Sequence, residues 1–114
     1  MKLPNAERAV FDIEKLRDYS LNPKHPKGKH KARVFLEELD FKADDAEHLR
    51  EKLMEAISTT EVTAQQLTSY EQRFFVDFQV RRDSKYVVTL KAIRSAWIVR
   101  NNEDFPRLTT CYIL

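Results

Sequence analysis

The sequence predicts an α+β fold, with N-terminal helices packed on a four-stranded antiparallel sheet that runs as a meander. Three observations lead there. Apolar residues recur with a helical period up to about Thr59, they alternate with a period of two from about Phe74, and short polar turns separate the later segments. A length of 114 residues fits one domain, residues 1–114, large enough to bury a core without disulfides or a structural metal.

The elements follow in order. Asp12 is placed to cap a helix running to Leu21, with Ile13 and Leu16 inward, and Asn22-Pro23 ends it. The KHPKGK segment is a loop. From Lys29 to about Asp40, the residues Ala32, Phe35, Leu36 and Leu39 fall at i, i+3, i+4 and i+7, which is one face of a second helix. A third helix starts at Asp44 or Asp45 and carries Ala46, Leu49, Leu53, Ala56 and Ile57 on its core side.

The period changes after Thr59. Residues 61–70 are polar and tolerate extended backbone, which suits an edge strand. Phe74, Val76, Phe78 and Val80 then alternate with Phe75, Asp77, Gln79 and Arg81, and residues 82–85 offer a turn. In YVVTLKAIRSAWIVR the apolar phase passes from Tyr86, Val88 and Leu90 to Ile93, Trp97 and Val99, so a bulge near Ala92 is expected. NNEDFP is a turn and RLTTCYIL the last strand. Trp97 belongs to the core, and Asp77, an acid between Val76 and Phe78, must meet water or a cation, with Arg94 as the candidate.

Composition excludes several function classes. Cys111 is the single cysteine, so neither an internal disulfide nor a zinc site with two thiolates can form, and a reducing compartment fits. Gly28 is the single glycine, which rules out phosphate loops built on repeated glycine. MKLPNAERAV carries Pro4, Glu7 and Arg8 where a secretory signal needs an apolar run, and no segment approaches the roughly 20 apolar residues of a membrane span. A cytoplasmic location away from membranes is therefore expected, with no cofactor and no metal.

The charge distribution singles out one segment. NPKHPKGKHKARVF, residues 22–35, holds Lys24, Lys27, Lys29, Lys31, Arg33, His25 and His30 without an acid, although the net charge is only +2. Helix N-termini favour anions, yet the second helix begins with Lys29, Lys31 and Arg33 and ends with Glu37, Glu38 and Asp40. With no Ser, Thr, Asp or Asn just before Lys29, uncapped amides and ammonium groups face the same space, and a phosphate would satisfy both. The plainer reading has the lysines solvated or paired with the acids of residues 37–55.

At about 100° per residue, Lys31 lies at the border of the apolar face and His30 nearly opposite it. Lys31 is thus placed to reach past the core edge to the sheet. If the last strand pairs antiparallel with the long one, Arg94 and Ser95 approach Arg107, Thr109 and Thr110, and a phosphodiester-binding cleft results. Surface ion pairs of Arg94 and Arg107, and plain strand propensity of Thr109 and Thr110, are the competing readings.

LPNAERAV, NPKHPKGKHKARVF, FVDF, RSAWIVR and FPRLTTCYIL together resemble an uncharacterised family of small bacterial proteins that also occurs as a C-terminal module of polymorphic-toxin-type chains. The element order is similar to that of the barnase/EndoU/colicin/RelE-like ribonucleases. The resemblance implies a metal-independent ribonuclease-type toxin held in check by a co-encoded immunity or antitoxin protein. Such cleavage needs a base, an acid and cations for the phosphorus centre. The catalytic set would be His25, Lys31, Arg94 and Thr109, and the phosphate-binding set Lys29, His30, Arg107 and Thr110. The alternative is a noncatalytic module that binds nucleic acid or an acidic partner protein, and a homodimer is a further open arrangement.

Overall fold

The computed structural model describes every residue except Ser84, Lys85 and Val87, and the side chains of Lys15, Tyr19 and Ser20 are likewise not described. Three helices cover one face of a four-stranded antiparallel sheet of order β1-β2-β3-β4, the α+β meander expected. The strands are β1 (Ala64–Leu67), β2 (Glu71–Asp83), β3 (Val88–Arg100) and β4 (Arg107–Ile113). No described helix is long and apolar enough to cross a membrane.

The first helix fills nearly its expected span but changes type within it. α1 covers Ile13–Lys15 and continues as a π turn over Leu16–Ser20, closed by the Leu21 N–H on the Leu16 carbonyl at 2.9 Å. An α-helix would set Leu16 and Leu21 about 140° apart, whereas the i→i+5 turn brings both onto the core side, where each is buried. Asn22 then turns the chain, its Oδ1 accepting from the Lys24 N–H at 2.9 Å.

α2 (Lys29–Leu39) buries Ala32, Phe35 and Leu39, while Leu36, expected on the same face, is left 39% exposed. Its C-terminus closes through Asp40 in the left-handed region (φ 56°), with the Phe41 N–H on the Phe35 carbonyl. Two of the acids at this end reach the sheet: Glu38 pairs with Lys91 and Asp40 with Arg82. α3 (Ala46–Thr59), entered through a 3-10 turn over Ala43–Asp45, buries the five residues its periodicity marks.

The core lies between these helices and the face of the sheet formed by Phe74, Val76, Val80, Ile93, Trp97 and Cys111. Trp97 is buried as expected, edge-on to Phe11 with ring centroids 5.3 Å apart. Its indole N–H donates to Ser95 Oγ at 2.9 Å, and Ser95 donates to the Val76 carbonyl at 2.8 Å. The expected anion-facing pair Arg94-Ser95 is therefore divided by the strand pleat, with Ser95 inside and Arg94 outside.

The bulge is not where it was expected. β2 and β3 pair without interruption from Glu71–Arg100 to Asp83–Val88, so nothing breaks phase near Ala92. The odd-numbered core phase simply continues outward to Lys91 and Thr89, and Val88 and Leu90 lie exposed on the other face, at 53% and 57%. Apolar side chains on the solvent side imitated a phase change. The register shift occurs one strand over, between β3 and β4, where Ala96 pairs with Thr110 and Trp97 with Leu108, leaving Thr109 as the extra residue. Of the turn expected over residues 82–85, Arg82 and Asp83 instead continue β2, paired with Thr89 and Val88, and the other two lie outside the described residues.

Candidate nucleic-acid interface

Strand register builds the site. Because Phe74, Val76, Ser95, Trp97 and Cys111 point into the core, their neighbours in each strand share the opposite, uncovered face. There Asp77, Arg94 and Tyr112 align across β2, β3 and β4, and the next rung aligns Phe75, Ala96 and Thr110. Beyond the shift, Ile98 stands between Arg73 and Arg107.

The Asp77 rung is held by charge. Arg94 donates from Nε and Nη2 to the two oxygens of Asp77, both at 2.9 Å, in the parallel fork that guanidinium and carboxylate favour. This hydrogen bonding, more than the added Coulomb attraction of the carboxylate, drives the Arg94 pKa above its ordinary value, and Tyr112 adds to the shift. The fixed guanidinium lies 5.3 Å from the Phe75 ring centroid, so a cation and an aromatic ring form one stacked unit. The pairing of Asp77 with Arg94 follows the sequence expectation.

Lys31 joins the cluster from the helical layer. It is half-buried in α2, which packs on the core face of β3 and β4, yet Thr110 and Tyr112 belong to the uncovered face. The lysine stem passes the outer edge of β4, and its Nζ donates to Thr110 Oγ1 at 3.3 Å and sits 5.1 Å from the Tyr112 ring centroid. Lys31, Thr110, Tyr112, Arg94, Asp77 and Phe75 therefore form one continuous group. A concavity of about 320 Å³ adjoins it, with Arg73, Phe75, Ala96, Ile98, Thr110 and Tyr112 in its lining.

The remaining candidates lie elsewhere or are engaged in local structure. Thr109, the bulge residue, borders the same concavity, but its Oγ1 is engaged in donating to the Ala96 carbonyl at 3.0 Å. Arg107 is bound by both oxygens of Glu103, at 2.9 and 2.6 Å, and stacks 5.1 Å from the Phe105 ring centroid, a rung away from the Lys31 group. Lys29 and His30 are exposed at the front of α2.

His25 stabilises the turn that leads into α2. Its Nδ1 accepts from the backbone N–H groups of Lys27 and Gly28, each at 3.0 Å, and its carbonyl accepts from the Lys29 N–H. Gly28, which precedes α2, supplies no side-chain cap, as expected, and His25 serves the amides of the turn ahead of the helix. Nδ1 must stay unprotonated to make both bonds, which places the neutral ring's proton on Nε2.

Phe75 and Tyr112 were not singled out from the sequence. The available signal was an aromatic ring on the outward phase of a strand, Phe75 grouped with Asp77, Gln79 and Arg81. Among the described residues, no group of three or more His, Cys, Asp or Glu side chains converges as a metal site.

These features define an α+β domain whose single sheet keeps one face uncovered and gathers cations, a hydroxyl and aromatic rings on it. The chain belongs to the family described as Domain of unknown function (DUF6883), whose model matches residues 2–114. No curated protein and no solved structure matches the chain.

Proposed function

We propose that the protein binds RNA on the uncovered face of its sheet, with phosphate held near Lys31, Thr110 and Arg94. The observation that carries this reading is the path of Lys31, which leaves the helical layer and delivers its ammonium group to Thr110 and Tyr112. A lysine needed only for solubility has no reason to lose conformational freedom in that way. Single-stranded nucleic acid is bound where cations follow the backbone and aromatic rings meet the bases, and both are present on this face. Lys24, Lys27, Lys29 and Arg33, all exposed, extend the positive charge along the front of α2.

Titrating a labelled single-stranded RNA with wild type and with Lys31→Ala tests the proposal. Affinity should fall steeply with salt, with a logarithmic slope of about 0.7 per phosphate engaged, and the variant should lose roughly one such unit. An RNA that stays unbound at about 50 mM salt, where counterion release favours binding most, overturns the proposal.

Cleavage of the bound strand by a metal-independent ribonuclease-type toxin is the second reading. It is favoured by the position of Tyr112 between Lys31 and Arg94, where two cations flank one phenol and would neutralise charge on a phosphate. A cognate immunity or antitoxin protein would then cover this face. Intact RNA after prolonged incubation with wild type in EDTA, together with normal growth of cells producing soluble protein, excludes cleavage and leaves binding alone.

A further inference from the structure

We propose that the concavity above Ala96 is the seat of one unpaired nucleobase, an inference that rests on RNA binding by the uncovered face. Ala96 occupies the middle of a 13-residue strand whose two neighbours on the same face, Arg94 and Ile98, are large. Across the sheet it is flanked by Phe75 on β2 and Thr110 on β4. Alanine is a poor strand former and β-branched or aromatic residues suit such a position, so local propensity is sacrificed here to leave space. Neighbouring strands lie about 4.8 Å apart, which sets the β2 and β4 backbones roughly 10 Å apart with only a methyl group between them.

The walls specify the ligand. Phe75 on one side and Tyr112 on the diagonal are flat and apolar, and the space of about 320 Å³ falls at the small end of ligand sites. The Arg94 guanidinium, locked by Asp77, is layered on Phe75 and completes a stacking platform. Thr110 supplies a hydroxyl, and the Lys31 ammonium that meets it stands on the β4 side, where the phosphate of the same nucleotide would lie. A flat heterocycle joined to an anion fits this arrangement; a free sugar or an aliphatic acid does not. With few polar groups to read base edges, the seat stacks a base without strong preference among the four.

The test compares an RNA oligomer of about 12 nucleotides with an abasic oligomer of the same length and backbone, using wild type and Ala96→Leu. Leucine at this outward position keeps the strand and fills the concavity. Wild type should bind the abasic strand at least about tenfold more weakly than the RNA. Ala96→Leu should weaken the RNA by at least about fivefold and leave the abasic affinity unchanged. Equal binding of the two oligomers by wild type, an Ala96→Leu protein that binds RNA normally, or equal loss on both oligomers each overturns the base seat while leaving phosphate binding in place. Failure of wild type to bind either oligomer overturns the RNA reading and the seat together.

Discussion

Asp77 and Arg94 stand 17 residues apart in the chain and directly opposite one another on β2 and β3, joined by two hydrogen bonds of 2.9 Å. The pair fixes the guanidinium over Phe75, but its carboxylate also competes with any phosphate that approaches. Asp77→Asn keeps the shape, removes the negative charge and leaves Arg94 fully cationic. RNA affinity measured by fluorescence anisotropy should therefore rise about two- to fivefold at low salt and return to the wild-type value as screening grows. Weaker binding at all salt concentrations would assign Asp77 a role in holding the ligand.

The two threonines of β4 separate cleanly. Thr110→Val removes the hydroxyl that meets Lys31 and should cost RNA affinity several-fold with little change in Tm. Thr109→Val deletes the bond that pins the bulge to the Ala96 carbonyl, about 0.5–1.5 kcal/mol of stability, and should leave RNA binding within about twofold. Thermal melts and binding isotherms on the same preparations decide the matter, and the reverse pattern would move the site one residue along the strand.

Ser95 is the buried polar link between the sheet and Trp97. Ser95→Ala leaves the indole N–H without its acceptor in the core, at a cost of about 1–3 kcal/mol. Trp97 is the only tryptophan, so its emission reports this spot directly. A lower denaturant midpoint with altered emission is expected; an unchanged midpoint would mean that another acceptor replaces the serine.

Much of this arrangement was legible because strands and helices impose different periods. The α3 core face, the α2 core face apart from Leu36, the four strands and the Asp77–Arg94 pairing followed from the period-two and helical patterns. Lys31 was readable as a border residue from its helical angle alone. The bulge was misplaced because Val88 and Leu90 are apolar on a face without cover, and a hydrophobic pattern cannot reveal which face is covered. Phe75 escaped notice for the same reason, as a ring among outward polar residues. The absence of a side-chain cap on α2 was legible from the residues before Lys29, whereas the His25 bonds to the preceding turn were not, because histidine is not among the usual capping residues.

The β3–β4 turn is tied by acids whose protonation releases it. Hydrogen bonding from Arg107 lowers the Glu103 pKa from its ordinary 4.5, and hydrogen bonding from Arg8 lowers that of Asp104 from 3.8. A carboxyl depressed on folding contributes stability that is complete above its unfolded value and disappears as pH falls through the folded one. Wild type should therefore lose stability below about pH 4.5 more steeply than Glu103→Gln,Asp104→Asn. Both pairs are near the surface, so the Tm difference at neutral pH should stay below about 4 °C. Parallel acid profiles of the two proteins would show that these pairs add nothing on folding.

His25 offers the sharpest separation between catalysis and architecture. Its ring nitrogen holds the amides of Lys27 and Gly28 at 3.0 Å and so shapes the entry to the helix that carries Lys31. An asparagine oxygen can accept from the same amides two and three residues ahead, as in an Asx turn, but it cannot act as a base near neutral pH. His25→Ala should lose about 0.5–2 kcal/mol of stability and bind RNA more weakly because Lys31 is less well placed. His25→Asn should recover both. If the asparagine protein recovers both but loses a cleavage activity seen in wild type, the imidazole takes part in the chemistry itself as well as in shaping the turn.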